Sequence, residues 1–145
     1  MVYGLDGGKK VKGRKRHIVV DAQGLLIGVL VTEASASERL GAVVVLSEAV
    51  AKLSKLKVVW VDQGYSGANF ERVVKQVCGE QVQVEVIERL SKTFERLPKR
   101  WIVERTFGWL NRFRRLSKDY ELYTEISEAM IYGSLIRLMV KRLAA

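Results

Sequence analysis

The sequence is short of nearly every residue from which closed chemical sites are built. Its 145 residues include one cysteine (Cys78), one histidine (His17) and one proline (Pro98). A lone cysteine excludes an intrachain disulfide and fits a reducing compartment. One Cys and one His cannot assemble the tetrahedral zinc sets. A metal would therefore fall to carboxylates, which favours Mg2+ or Mn2+. No Ser–His or Cys–His arrangement suggests a protein nucleophile. No apolar run is long enough to span a membrane, and residues 1–17 lack the apolar centre of a signal peptide, so a cytoplasmic setting is expected. Acids are scarce too: 16 against 25 Lys and Arg, for a formal charge of +9 and a pI near 9.8. That balance suggests a polyanionic partner, first nucleic acid and second an acidic membrane surface; a merely soluble basic protein is the plain alternative.

What is present is a globular pattern, 48% hydrophobic and 28% charged, of a length that suits one domain. No internal repeat or low-complexity linker divides it, so one domain over 1–145 is expected, opened by a basic segment, 1–17. Six of the eight residues from Lys9 to Arg16 are basic. Lys9, Lys10, Lys12, Arg14, Lys15 and Arg16 read either as a solvated tail or as a phosphate-binding arm. The stretch from His17 to Glu33 predicts a hairpin about the turn Asp21–Gly24. Apolar residues at helical spacing (Ala42, Val45, Leu46, Ala49, Val50, Leu53) predict a helix over 38–53. The β-branched run Lys57–Asp62 predicts a strand buried on both faces. A helix over 67–78, an alternating strand over 82–87, a helix from Pro98 to about Leu116 and a last helix over 125–143 complete the order β-β-α-β-α-β-α-α. That order reads as one α/β domain with a mixed sheet.

Two carboxylates stand out. Asp62 ends a strand just before Gln63-Gly64-Tyr65, and ligand sites of open α/β sheets gather at such ends; an aspartate hydrogen-bonding its own turn is the plainer reading. Glu104 is the single acid between Pro98 and Lys118, among five arginines and two lysines. Helical spacing sets Ile102, Trp109, Leu110, Phe113 and Leu116 on one stripe and Glu104 on the other, near Arg100, Asn111, Arg115 and Lys118. An i,i+4 pair with Arg100 accounts for one of these cations and not for the surplus. Carboxylates to hold a divalent ion among guanidinium groups to hold phosphates account for both. Trp101, Phe107, Trp109 and Phe113 interleave, and most of them read as core.

Three stretches, from Gly8 to Leu26, from Val59 to Gly67 and from Leu97 to Glu121, together resemble the DDE transposases of bacterial insertion sequences, nearest to the insertion-sequence-five branch. The resemblance implies a ribonuclease-H-like fold in which three acids bind two divalent ions. It matches Asp62 to the second aspartate and Glu104 to the glutamate, and sets Arg100, Arg105, Arg112, Arg115 and Lys118 along the DNA path. The family's first aspartate lies on a central first strand that this chain is expected to lack. Asp6 and Asp21 are weak substitutes. The expected function is therefore metal-dependent cleavage and strand transfer at insertion-sequence ends, on double-stranded DNA, with this chain inactive alone. The expected partners are a homo-oligomer mate or the missing amino-terminal part. A non-catalytic DNA-binding fragment that regulates the parent element is the alternative, and an unrelated ribonuclease-H-like nuclease ranks third. An open β-edge is expected to favour self-association.

Overall fold

The computed structural model describes residues 4–6, 11–87 and 98–145. It is an α/β fold, and among the described residues five strands form two sheets rather than the single mixed sheet expected from the order of elements. Strands β1 (Gly4–Asp6), β2 (Val11–Val20) and β3 (Leu26–Glu33) make a three-stranded antiparallel sheet with β2 in the middle. Strands β4 (Val58–Asp62) and β5 (Gln83–Ile87) pair in parallel. The helices are α1 (Glu38–Ala49), α2 (Ala68–Cys78), α3 (Pro98–Asn111) and α4 (Thr124–Leu143).

The hairpin β2–β3 forms where its turn residues require. Asp21 Oδ1 accepts the amides of Gln23 and Leu25 at 2.8 and 2.9 Å, and Gly24 takes φ +82°, a backbone state that costs glycine nothing. The turn also seats α3. Thr106 Oγ1 donates to Gly24 O at 2.7 Å, and a Cβ at position 24 would lie 2.9 Å from the Thr106 hydroxyl. Strand β2 starts at Val11, six residues before His17, and β1 pairs with its first three residues. Much of the basic opening segment is thus strand rather than tail.

Each sheet has its own core. Val29 and Val31 pack with Leu110, Leu116, Ile131 and Leu135 from α3, the turn after it and α4. Leu46, Phe70, Val74, Cys78 and Val82 form the second cluster, around α1, α2 and the parallel pair. Each such side chain contributes about 1.5–3 kcal/mol on burial. On α1, Ser37 caps the amino end by accepting the Leu40 amide, and Gly41, Val45, Leu46 and Ala49 face inward. Gly41 leaves the room that the His17 ring fills.

Two sequence expectations are corrected here. Strand β4 is not buried on both faces: Trp60 and Asp62 are exposed and the three valines half-buried. The reason is that Val59 and Val61 turn to the second core, whereas the face that carries Trp60 and Asp62 has no such layer over it among the described residues. Helix α3 stops at Asn111 rather than near Leu116, because Phe113 turns extended and Arg114–Leu116 form a 3-10 turn. The break carries Leu116 into the first core, where it is 1% exposed. A continued helix would have sent it elsewhere.

Candidate active site and nucleic-acid face

Between the two sheets lies a cavity of about 830 Å3, walled by consecutive residues of β2 and β4 and by the start of α3. Asp62 and Glu104 both line it. Asp62 arrives as the last residue of β4, and its Oδ1 accepts the Gly64 amide at 3.0 Å, so the turn reading of this aspartate holds as well. Glu104 arrives on α3, exposed, on the face opposite the buried Thr106 and Leu110. Both are hard oxygen donors of the kind that Mg2+ or Mn2+ takes. Asp21 borders the same cavity, but its Oδ1 is committed to the hairpin turn. Among the described residues, no three His, Cys, Asp or Glu side chains are placed to hold one ion. The donor set fits a divalent ion in kind, with two protein carboxylates. The side chain of Asp6 lies outside the description.

The basic residues divide sharply. Arg14 is a buried scaffold: its side chain is 1% exposed, it pairs with Asp119 at 3.2 Å, and it donates to Glu121 O and Leu122 O. Asp119 also accepts from Ser127 Oγ and from the Glu121 amide. Arg16 donates to Leu116 O at 2.7 Å and to Lys118 O, and burial draws its pKa down from the usual guanidinium value against the pull of Asp119. Lys15 donates to Ala36 O and faces Glu38. These three hold the loop after α3 and the approach to α1, whereas Lys12 is exposed. Lys9 and Lys10 lie outside the described residues, and the side chain of Arg100 is not described.

On α3 the arrangement is the reverse. The Arg105 guanidinium lies 5.2 Å from the Trp101 ring centre and 5.0 Å from that of Trp109, and Arg142 of α4 covers Trp109 at 4.3 Å. The result is a surface ladder, Trp101–Arg105–Trp109–Arg142, in which each contact is worth about 0.5–1 kcal/mol. Trp101 is 43% exposed and Trp109 half-buried, so neither is the core residue that the sequence suggested. Arg105 also donates to Gln23 O, and its Nε has no acceptor among the described residues. Arg112 and Lys118 are exposed, and Arg115 is held by Glu121 at 2.8 Å. By the cavity mouth, Lys99 lies 4.1 Å from the Trp60 ring centre, and both reach Glu85. The hydrogen bond from Trp60 is the main reason that the Glu85 carboxyl titrates below its usual range. The ladder residues beyond Arg105 were missed. Their signal was the i, i+4, i+8 spacing of Trp101, Arg105 and Trp109, which places all three on one helical face.

No helix among the described residues is long and apolar enough to cross a membrane. No solved structure gives a significant match to the chain. A protein from Burkholderia cepacia, described as "Putative transposase for insertion sequence element IS402", is 30% identical over 128 residues. The alignment takes in 82% of this chain and 59% of that protein, so the chain spans about three-fifths of the relative's length. A family model described as "Transposase DDE domain" matches residues 1–139. With nearly its whole length inside that match, the chain belongs to the transposase DDE-domain family.

Proposed function

We propose that this chain is part of a ribonuclease-H-like catalytic domain that cuts and joins double-stranded DNA at insertion-sequence ends. Asp62 and Glu104 are two of its ligands for Mg2+ or Mn2+. The observation that carries the reading is that two carboxylates from elements far apart in sequence line one cavity. The family match supports the reaction class.

When bound, a divalent ion supplies Lewis acidity to a scissile phosphodiester and acidifies water. The chain's own residues do the rest. The Gly64 amide fixes the Asp62 carboxylate at the strand end, and α3, pinned to the hairpin turn through Thr106 and Arg105, presents Glu104. Arg112 and Lys118 supply exposed cations for the DNA backbone, with Lys12 on β2 as a further one, and the ladder on α3 presents a π-rich flank. Arg14 and Arg16, spent on the fold, leave that list. A third acid would complete the set, and among the described residues none is placed to do so.

Metal binding is the direct test. In an EPR titration with Mn2+, the protein is expected to bind the ion, and Asp62→Ala and Glu104→Ala are each expected to weaken binding at least tenfold. Unchanged Mn2+ affinity in both variants would leave the second reading, a DNA-binding module without catalysis. That reading is favoured by the tryptophan–arginine ladder, which needs no metal. DNA binding that falls with added salt is common to both.

A further inference from the structure

Helix α4 has two apolar faces, and the fold covers one of them. Ser127, Ile131 and Leu135 are buried, and Leu138 packs against the first core. On that side the amides of Val29 and Val31 donate to Tyr132 Oη at 3.3 Å and to Glu128 Oε1 at 2.8 Å. On the other side Ile126, Ala129, Gly133, Ile136, Val140 and Leu143 are all exposed. Exposure of the four large ones runs from 47% at Ile126 to 89% at Leu143. Nothing among the described residues lies over them.

The spacing of these six alternates between three and four residues. At 100° per residue they share an arc of about 100°, centred opposite Ile131. An apolar row with that alternation is the seam along which one helix packs on another. The charged residues of α4, Glu125, Glu128, Arg137, Lys141 and Arg142, all lie off the seam. Its middle is also its lowest part, because Ala129 and Gly133 carry the smallest side chains. A Cβ at Gly133 would meet nothing within 4 Å, so no contact inside the chain calls for glycine there. Glycine in a helix interior costs about 1 kcal/mol relative to alanine. Close approach of a second backbone is what it permits.

The seam is complementary to itself. Two copies of α4 laid antiparallel, about a twofold axis level with Ile131, set Ile126 against Ile136 of the second copy and Ala129 against its Gly133. Bulk then meets bulk, and small meets small. Each contact occurs twice, as an isologous interface requires. Charge selects the same direction. Glu125 stands near the amino end, and Arg137, Lys141 and Arg142 stand near the carboxyl end. A parallel pair gathers the cations of both copies at one end. An antiparallel pair holds them about 25 Å apart along the axis, well beyond the screening length of about 8 Å at physiological salt. An acidic membrane surface fits less well, because Arg137 and Lys141 flank the seam on one side only, and Glu125 and Tyr132 flank the other. Arg142 lies away from the seam, so pairing leaves its contact with Trp109 intact.

We infer that the outer face of α4 is a self-association surface, and that its occupant is α4 of a second copy of this chain, running antiparallel.

The test needs neither metal nor DNA, so its failure leaves the catalytic reading standing. Sedimentation velocity of the full chain, from low to high micromolar concentration, is expected to show a monomer–dimer equilibrium. Gly133→Gln has room in the single chain and removes a helix-interior glycine. It is expected to keep the helical circular dichroism and to weaken the dimer at least tenfold. Ile126→Glu and Ile136→Lys replace exposed side chains, and each alone is expected to give monomers. An equimolar mixture of those two variants is expected to recover the dimer, because position 126 of one copy faces position 136 of the other. A mixture that stays monomeric would overturn the antiparallel pairing. A dimer indifferent to all three substitutions would assign association to another surface, such as a strand edge, and overturn the inference. A parent chain that stays monomeric throughout would leave the seam to a different occupant and overturn the second copy named here.

Discussion

Arg14 and Arg112 belong to runs that look alike in sequence, each a cluster of cations with few acids, yet the fold puts them to opposite uses. Arg14 is enclosed by Asp119 and the carbonyls of Glu121 and Leu122, so its charge is spent inside the protein. Arg112 is exposed in the turn just past the end of α3. The difference teaches that a basic run is not by itself a binding face. In an extended strand, alternate residues point to opposite faces, and a long cation on the inner one can become a clamp for a loop. On a surface helix, most of the cations stay in water.

The largest expected effect falls on the buried member. Arg14→Ala strands Asp119 and two carbonyls, and breaking a buried pair costs about 3–5 kcal/mol. A urea melt should show that loss. A change below about 1 kcal/mol would break the comparison by making Arg14 as dispensable as a surface cation. Next comes His17, on the same strand, buried and 2.9 Å from Thr32 Oγ1. Burial lowers its pKa, with Glu38 opposing and Lys15 assisting. A depressed folded pKa means that the unfolded chain takes the proton first. The stability held by neutral His17 is therefore present above about pH 6.5 and is lost as the pH falls through the folded pKa. Since the sequence has no other histidine, melting temperatures between pH 7 and 5 should decline, and His17→Asn should flatten the decline. The smallest effect on stability belongs to the outer members. Arg112→Ala and Lys118→Ala should each shift stability by less than about 0.5 kcal/mol. Each should also reduce the salt dependence of DNA binding by roughly one unit of slope. Equal salt slopes in variant and parent would remove these residues from the DNA path.

Local chemistry was legible where the chain decides locally. The Asp21–Gly24 turn, the inward stripe of α1 and the span of α2 follow from turn residues and 3.6-residue spacing. The positions of Asp62 at a strand end and Glu104 on an exposed helix face were legible for the same reason. The end of α3 was not. Nothing within Phe113–Leu116 forbids a helix, and the stop is imposed by the core that takes Leu116 and by Arg16, which holds its carbonyl. The exposure of Trp60 was hidden too, because a β-branched run looks the same whether one face of its strand is covered or both.

The sequence by itself determined most of the elements, the surplus of positive charge and the exclusion of an intrachain disulfide and thiolate–zinc chemistry, since these depend on composition and short-range spacing; the family it showed through resemblance of its motifs. Only the tertiary structure decided which arginines face water and that Asp62 and Glu104 share a cavity. Those outcomes depend on contacts between residues as far apart as Arg14 and Asp119, and no local pattern encodes which distant partner a side chain meets.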